Sequence, residues 1–267
     1  MLRRRAGLLL GSAMVVALPL VSLANPASAG PSQDGKAAEA TKAQTTKAKD
    51  AKPLDGCYTW NRTLKEGHSG SDVTQLQIRV AGYPGSGKVL AIDGKFGPAT
   101  KAAVSRFQKA YGLSADGVAG PNTFSKIYAL QDSDCSPKHF DFSELNKCNS
   151  TWSGGAVSAA TAKSNALRTM WKLEAMRHAM GDKPLRVTSG FRSKSCNDSV
   201  GGSPSSRHMY GDAADLGAGS HSLCAMAKAA RNHGFNGILG PGYPGHNDHT
   251  HVDHRSSRHW SAPTCGI

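Results

Sequence analysis

An eight-residue pattern that occurs twice dictates much of what the first half of this chain can become. Asp93-Gly94-Lys95-Phe96-Gly97-Pro98-Ala99-Thr100 returns 23 residues later as Asp116-Gly117-Val118-Ala119-Gly120-Pro121-Asn122-Thr123. Asp-Gly and Gly-Pro are turn formers, so each copy reads as two turns followed by a threonine placed to N-cap a helix. Behind Thr100, Ala103, Val104, Phe107 and Tyr111 recur at helical spacing, and behind Thr123 so do Phe124, Ile127 and Tyr128. Upstream, Val73, Leu76, Gln77 and Val80 mark an earlier helix that begins near Ser71-Asp72. The expectation is a small all-α unit of three short helices joined by turn-rich loops.

The residues ahead of this unit do not read as globular. Arg3, Arg4 and Arg5 precede an apolar run from Leu8 to Leu23, which ends at Ala27-Ser28-Ala29. That order is a secretory signal peptide, so residues 1–29 are expected to be removed on export. Residues 30–54 are mostly Ala, Lys, Thr, Gln, Ser and Asp, with no large apolar side chain before Leu54. Such a segment cannot bury enough surface to offset its ordering entropy, so it reads as a flexible linker or pro-segment. No other stretch supplies the ~20 apolar residues that a membrane span needs. No membrane attachment is expected once the signal is gone.

Six cysteines follow: Cys57, Cys135, Cys148, Cys196, Cys224 and Cys265. An even count in an exported chain reads as a disulfide framework. Without a C-x-x-C pair, a cysteine zinc site is disfavoured. The spacing suggests pairing in sequence order: Cys57–Cys135, Cys148–Cys196 and Cys224–Cys265. The first bridge would close a helical domain over residues 55–135 and leave 136–267 as a second domain. Net charge is +13. Residues 1–54 hold eight Lys/Arg and three Asp/Glu, which leaves +8 on the remainder. A basic exported protein is drawn to polyanions. Teichoic acid and peptidoglycan suit that location. Nucleic acid does not, because the aromatic–basic interleaving of single-strand binders is missing.

In the second domain a helix is expected from about Val157 to Met180, with Ala160, Leu167, Met170, Trp171, Leu173, Met176 and Met180 as its apolar stripe. Leu185 to Thr188 reads as a strand, turned at Ser189-Gly190. A further helix covers roughly Leu223 to His233, ended by Gly234. The fold class is α+β: a small antiparallel sheet flanked by helices. His178 and His233 fall near helix ends, where the dipole favours a cation. His254 and His259 read as surface residues, and Tyr58, Trp60 and Trp152 as packing.

Eleven histidines is a high count, and His208, His246, His249, His251, His254 and His259 crowd the last sixty residues with Asp215, Asp248 and Asp253. Histidine and carboxylate are the usual ligands of catalytic zinc. The run from Ser206 to Asp215 is not the helical H-E-x-x-H arrangement. On a helix, His208 and Asp215 would stand about 10 Å apart. Gly211 instead suggests a bend that brings two arms together. In the second segment, Gly245 to Val252, strand periodicity puts His249 and His251 on one face and leaves them equal as ligands. Asp212 is a further candidate, read in the first instance as a solvated loop carboxylate.

Two resemblances sharpen these readings. From about Leu64 to Leu130 the chain resembles the peptidoglycan-binding domain of wall hydrolases. The match rests on Gly67, Gly70, Val73-x-x-Leu76-Gln77, Ala103-Val104-x-x-Phe107-Gln108 and both Asp-Gly-x-x-Gly-Pro-x-Thr copies. Further on, Ser206-x-His208-x-x-Gly211-x-Ala213-x-Asp215 followed by Asp248-x-x-His251 resembles the zinc D-Ala-D-Ala peptidases of the M15 family, which share a fold with hedgehog domains. Trp152 to Gly155, Gly190 to Ser193 and Gly240 to His246 extend that likeness. The resemblance implies one zinc ion held by His208, Asp215 and His251. It implies Asp248 as general base, Arg192 as holder of substrate or oxyanion, and His246 as a second stabiliser. It places His249 behind the ligands. It also implies a monomer acting on peptidoglycan stem peptides, by carboxypeptidase action or by endopeptidase action on cross-bridges. A non-catalytic, zinc-containing wall-binding protein is the alternative.

Overall fold

The computed structural model describes residues 57–267. The expected signal and linker, residues 1–54, lie outside the described residues. Three helices open the described chain: α1 (Ser71–Arg79), α2 (Pro98–Ala110) and α3 (Pro121–Leu130). Val73, Leu76, Val104, Phe107, Ile127 and Leu64 are buried between them.

The repeated pattern has a different local role from the one expected. Pro98 and Pro121 occupy the first helical turn and Gly97 and Gly120 are the N-caps, so neither threonine caps a helix. Proline at the first helical position costs no hydrogen bond, which is why the start shifts there. Thr100 and Thr123 are instead buried inside the first turn and accept hydrogen bonds from glutamine amides. Gln77 Nε2 donates to Asp93 Oδ1, Lys95 O and Thr100 Oγ1, while its Oε1 accepts from the Asp93 and Gly94 amides. Gln108 does the same one copy later, donating to Asp116 Oδ1, Val118 O and Thr123 Oγ1 and accepting from Gly117 N. Each repeat is thus a turn clasped by one buried amide from the preceding helix.

The second half comprises α4 (Phe142–Leu145), α5 (Ala159–Ala179), β1 (Arg186–Ser189), α6 (Lys194–Ser199), a 3₁₀ turn (Arg207–Tyr210), β2 (Ala213–Gly217), α7 (Leu223–Ala230), β3 (Gly237–Leu239), β4 (His249–Asp253) and β5 (His259–Ser261). The strands form one sheet in the order β1-β2-β4-β3-β5. Three pairings are antiparallel, but β5 runs parallel to β3, so the sheet is mixed rather than antiparallel. Strand alternation sorts its two faces. Val187, Ala214, Leu216, Ile238 and Val252 pack on α5 and α7 in the core. Ala213, Asp215, Gly217, His249, His251 and Asp253 take the opposite face. The cysteines pair in sequence order, as expected.

Helix α5, capped by Ser158, joins the two cores. Ala162, Ala166, Met170, Leu173 and Met176 enter the sheet's core, whereas Trp171 and Ala175 complete the core of the three-helix unit. A helix apolar on two faces is buried on both sides. The loop after α1 tightens this junction. Gly82 lies so close to α5 that a methyl group there would meet Ala175 Cβ at 2.4 Å. His233 Nδ1 donates to Gly82 O at 2.8 Å, and Gly87 N donates to Arg231 O at 2.9 Å. His233 therefore does not serve the helix dipole. It is buried, and burial lowers its pKa.

Candidate metal centre

Local sequence explains how the site residues converge. Arg207–Tyr210 make a single 3₁₀ turn, and Gly211 ends it with a left-handed φ of 72°. A side chain at Gly211 would also strike the Ala162 carbonyl, at 2.3 Å. The chain reverses there into β2, so His208 folds back over Asp215. The expected bend is present, with a 3₁₀ turn as one arm. In the β2–β4 register Asp215 stands directly opposite His251. Ala213 and Gly217, its neighbours on that face, are small and leave the space open.

The three groups meet with their polar atoms inward. Asp215 Oδ1 lies 3.1 Å from His208 Nε2 and 2.9 Å from His251 Nδ1, and the two imidazole nitrogens are 3.1 Å apart. All three residues are buried. The far side of each ring is engaged as well. His208 Nδ1 is 2.6 Å from the Gly190 carbonyl, and His251 Nε2 is 2.9 Å from Asp253 Oδ2. A carbonyl and a carboxylate accept on those outer sides, so each ring can keep its proton there and leave its inner nitrogen free to ligate a cation. Those inner nitrogens and Asp215 Oδ1 all point into the same space. Three convergent acceptors in a buried space are the donor set of a cation site, and among the described residues these three form the metal-capable cluster. Two histidines and one carboxylate match zinc.

Electrostatics report the same crowding. Burial opposes charge on Asp215, yet His208 and His251 hold its carboxyl well below the usual range. Burial also disfavours a charged His251, but Asp215 and Asp253 outweigh it and raise this ring to about 9. Burial lowers His208.

The remaining expected residues ring this centre. His249 Nε2 is 3.6 Å from Asp215 Oδ1, but its ring is partly exposed and its Nδ1 lies 2.8 Å from Asp248 Oδ1. Burial and distance thus separate His251 from His249, which strand periodicity left equal. Asp248 is exposed, and its hydrogen bond with His249 lowers its pKa. The His246 ring lies tilted against His249 and edge-on to His251, with centroids 4.8 and 5.8 Å apart. Burial lowers its pKa. Arg192 Nη2 donates to Asp215 Oδ2 at 2.7 Å and its Nε to Ser189 Oγ at 3.0 Å, so it braces the carboxylate from outside.

Two expectations need correction. Asp212 is not a solvated loop residue: it is buried and ion-paired with Arg207, because Gly211 turns it inward. His254 is not a surface residue: both ring nitrogens are buried, and burial pushes its pKa well down. Sequence reasoning also gave Asp253 no role. The signal was present, since Asp253 sits two residues beyond His251 and so on the same strand face.

Residues 138–253 match the Peptidase M15 family, and residues 69–127 match the putative peptidoglycan binding domain. The chain is 73% identical over 214 residues to the zinc D-Ala-D-Ala carboxypeptidase of Streptomyces albus G, covering 80% of this chain and 84% of that protein. A probable N-acetylmuramoyl-L-alanine amidase of Bacillus licheniformis is 44% identical over 80 residues, 28% of this chain and 22% of the amidase. A crystal structure of a peptidoglycan-binding protein from Clostridioides difficile aligns with 28% of this chain and 46% of that one, at 42% identity and a TM-score of 0.25. With that identity to the Streptomyces protein over most of both sequences, and with a buried two-histidine, one-aspartate centre on its sheet, the chain belongs to the Peptidase M15 family.

Proposed function

We propose that this protein is a zinc D-alanyl-D-alanine carboxypeptidase that hydrolyses the D-Ala-D-Ala bond of peptidoglycan stem peptides. The observation that carries this reading is the convergence of His208 Nε2, Asp215 Oδ1 and His251 Nδ1, in a chain 73% identical to a carboxypeptidase of that name. Zinc held by these three residues would supply a Lewis acid that polarises a carbonyl and acidifies water. The chain's own groups do the rest. Asp248, kept ionised beside His249, takes the proton of the attacking water and passes it to the leaving amine of the terminal D-alanine. Arg192 and His246 flank the centre and offset the negative charge that develops on the scissile carbonyl oxygen. Residues 55–135 serve as the wall-binding module and 136–267 as the catalytic one. The chain acts outside the cell as a monomer, after loss of residues 1–29 and with 30–54 as a spacer. Among the described residues no helix is long and apolar enough to cross a membrane.

Purified protein incubated with stem peptides ending in D-Ala-D-Ala tests this directly. Mass spectrometry should find free D-alanine. Asp248→Ala should keep its zinc and lose activity by about 10²–10⁴-fold, the usual contribution of a general base. Cleavage of the lactyl-alanine bond alone, or zinc-loaded protein that cuts nothing, would overturn the proposal.

A further inference from the structure

We infer that Asp253, held by Arg255 and given room by Gly237, dictates which nitrogen of His251 faces the metal and so tunes the affinity of the centre. The inference rests on the zinc reading of the preceding section.

A neutral imidazole has one donor nitrogen and one acceptor nitrogen, and only the acceptor can ligate. In His208 the choice is made by a backbone carbonyl, Gly190 O, which any sequence would supply at that point. In His251 it is made by a side chain. Two carboxylate oxygens face the ring at 2.9 Å, Asp215 Oδ1 at Nδ1 and Asp253 Oδ2 at Nε2; with a cation taking up Asp215, Asp253 accepts from Nε2 and the Nδ1 lone pair is left for the metal.

The surroundings hold this carboxylate in place. Asp253 is fully buried. Arg255 grips it through Nε and Nη2, at 3.0 and 2.6 Å from Oδ2, and through its backbone amide, 2.9 Å from Oδ1. Removing such a charge from water is costly, so a residue serving only to pack the strand would be apolar. Across the β3–β4 pairing Asp253 faces Gly237. A methyl group at Gly237 would lie 2.1–2.3 Å from the carboxylate atoms. The neighbouring strand therefore omits a side chain where Asp253 needs space. Asp253 touches neither substrate nor metal. It is a positioning residue acting through His251.

The test uses full-length protein stripped of metal and titrated with zinc against a chromophoric chelator. Circular dichroism confirms folding of each metal-free variant. Asp253→Asn keeps the shape and removes the charge, and should weaken zinc binding about 10–100-fold, as loss of a ligand's hydrogen-bond partner usually does. Gly237→Ala, which displaces the carboxylate without altering it, should weaken binding in the same direction. Nitrogen NMR of the metal-free wild type, recorded at a pH high enough for the His251 ring to be neutral, should place its proton on Nε2, with that preference reduced in Asp253→Asn. If Asp253→Asn does not fold, Arg255→Gln decides, because the arginine is partly exposed. It should lose affinity and tautomer preference together. Tight wild-type binding with every folded variant within about twofold would overturn this inference alone, since that lies below the 10–100-fold effect of such partners. A wild-type protein that binds no zinc would overturn the zinc reading and this inference with it.

Discussion

Replacing Gln108 by leucine should destabilise the repeat unit far more than an amide-to-alkyl change at a surface site. Gln108 is 2% exposed, and its amide engages four partners. Two of them, Gly117 N and Thr123 Oγ1, are buried and reached through Gln108 at 2.9 and 3.1 Å. Leucine leaves both without that partner. A buried polar group deprived of its hydrogen bond costs about 1–3 kcal/mol, so the two place the loss near 2–6 kcal/mol. Asp116, at the exposed end, can turn to water and adds little. Urea denaturation with the disulfides intact should show a lower midpoint at an unchanged slope. Gln77→Leu should match or exceed it, because Gln77 accepts from two amides rather than one. A loss below about 1 kcal/mol for both variants would refute the clasp, since that is the net worth of one ordinary hydrogen bond.

Trp171→Ala should cost about 3–5 kcal/mol, the usual range for a buried aromatic, and calorimetry should still show one transition, because α5 closes both cores. Two resolved transitions in the wild type would contradict that. The fold should also weaken in acid. His233 and His254 are held neutral by burial, with pKa values lowered from the ordinary one. Unfolded chains therefore bind more protons at low pH. The stability these groups contribute is present above about 6.5, the unfolded histidine value, and is lost as pH falls through the folded values. A His233→Gln variant should show a shallower loss between neutral and acidic pH in chemical denaturation. An unchanged profile would exclude His233 from the effect.

The three helices and the α+β class were legible because they rest on local spacing, and the pairing of His208 with Asp215 because the run from Ser206 to Asp215 resembles the M15 pattern. The placement of Thr100 and Thr123 was not. A threonine three residues into a helix and one before it look alike until Pro98 and Pro121 are recognised as first-turn residues. The parallel β5 strand escaped because a three-residue edge segment has no periodicity to read. Helix α5 showed its apolar stripe but not that Trp171 points away from the rest of it, toward a second core. His251 and His249 could not be separated by alternation, which places both on one face. What separates them is depth: Asp215 stands opposite His251, while His249 faces Gly217 nearer the edge. Asp212 and His254 were misread because a polar residue beside a glycine or at a strand end looks solvated; the turn at Gly211 buries the first, and the second lies against the Phe235 ring.

The central claim is that one zinc ion is held by His208, Asp215 and His251, and metal content tests it most directly. Protein purified without chelator should contain one zinc per chain. His208→Ala, Asp215→Ala and His251→Ala should each lose it, while His249→Ala should keep it. Zinc retained in His251→Ala and lost in His249→Ala would contradict the account.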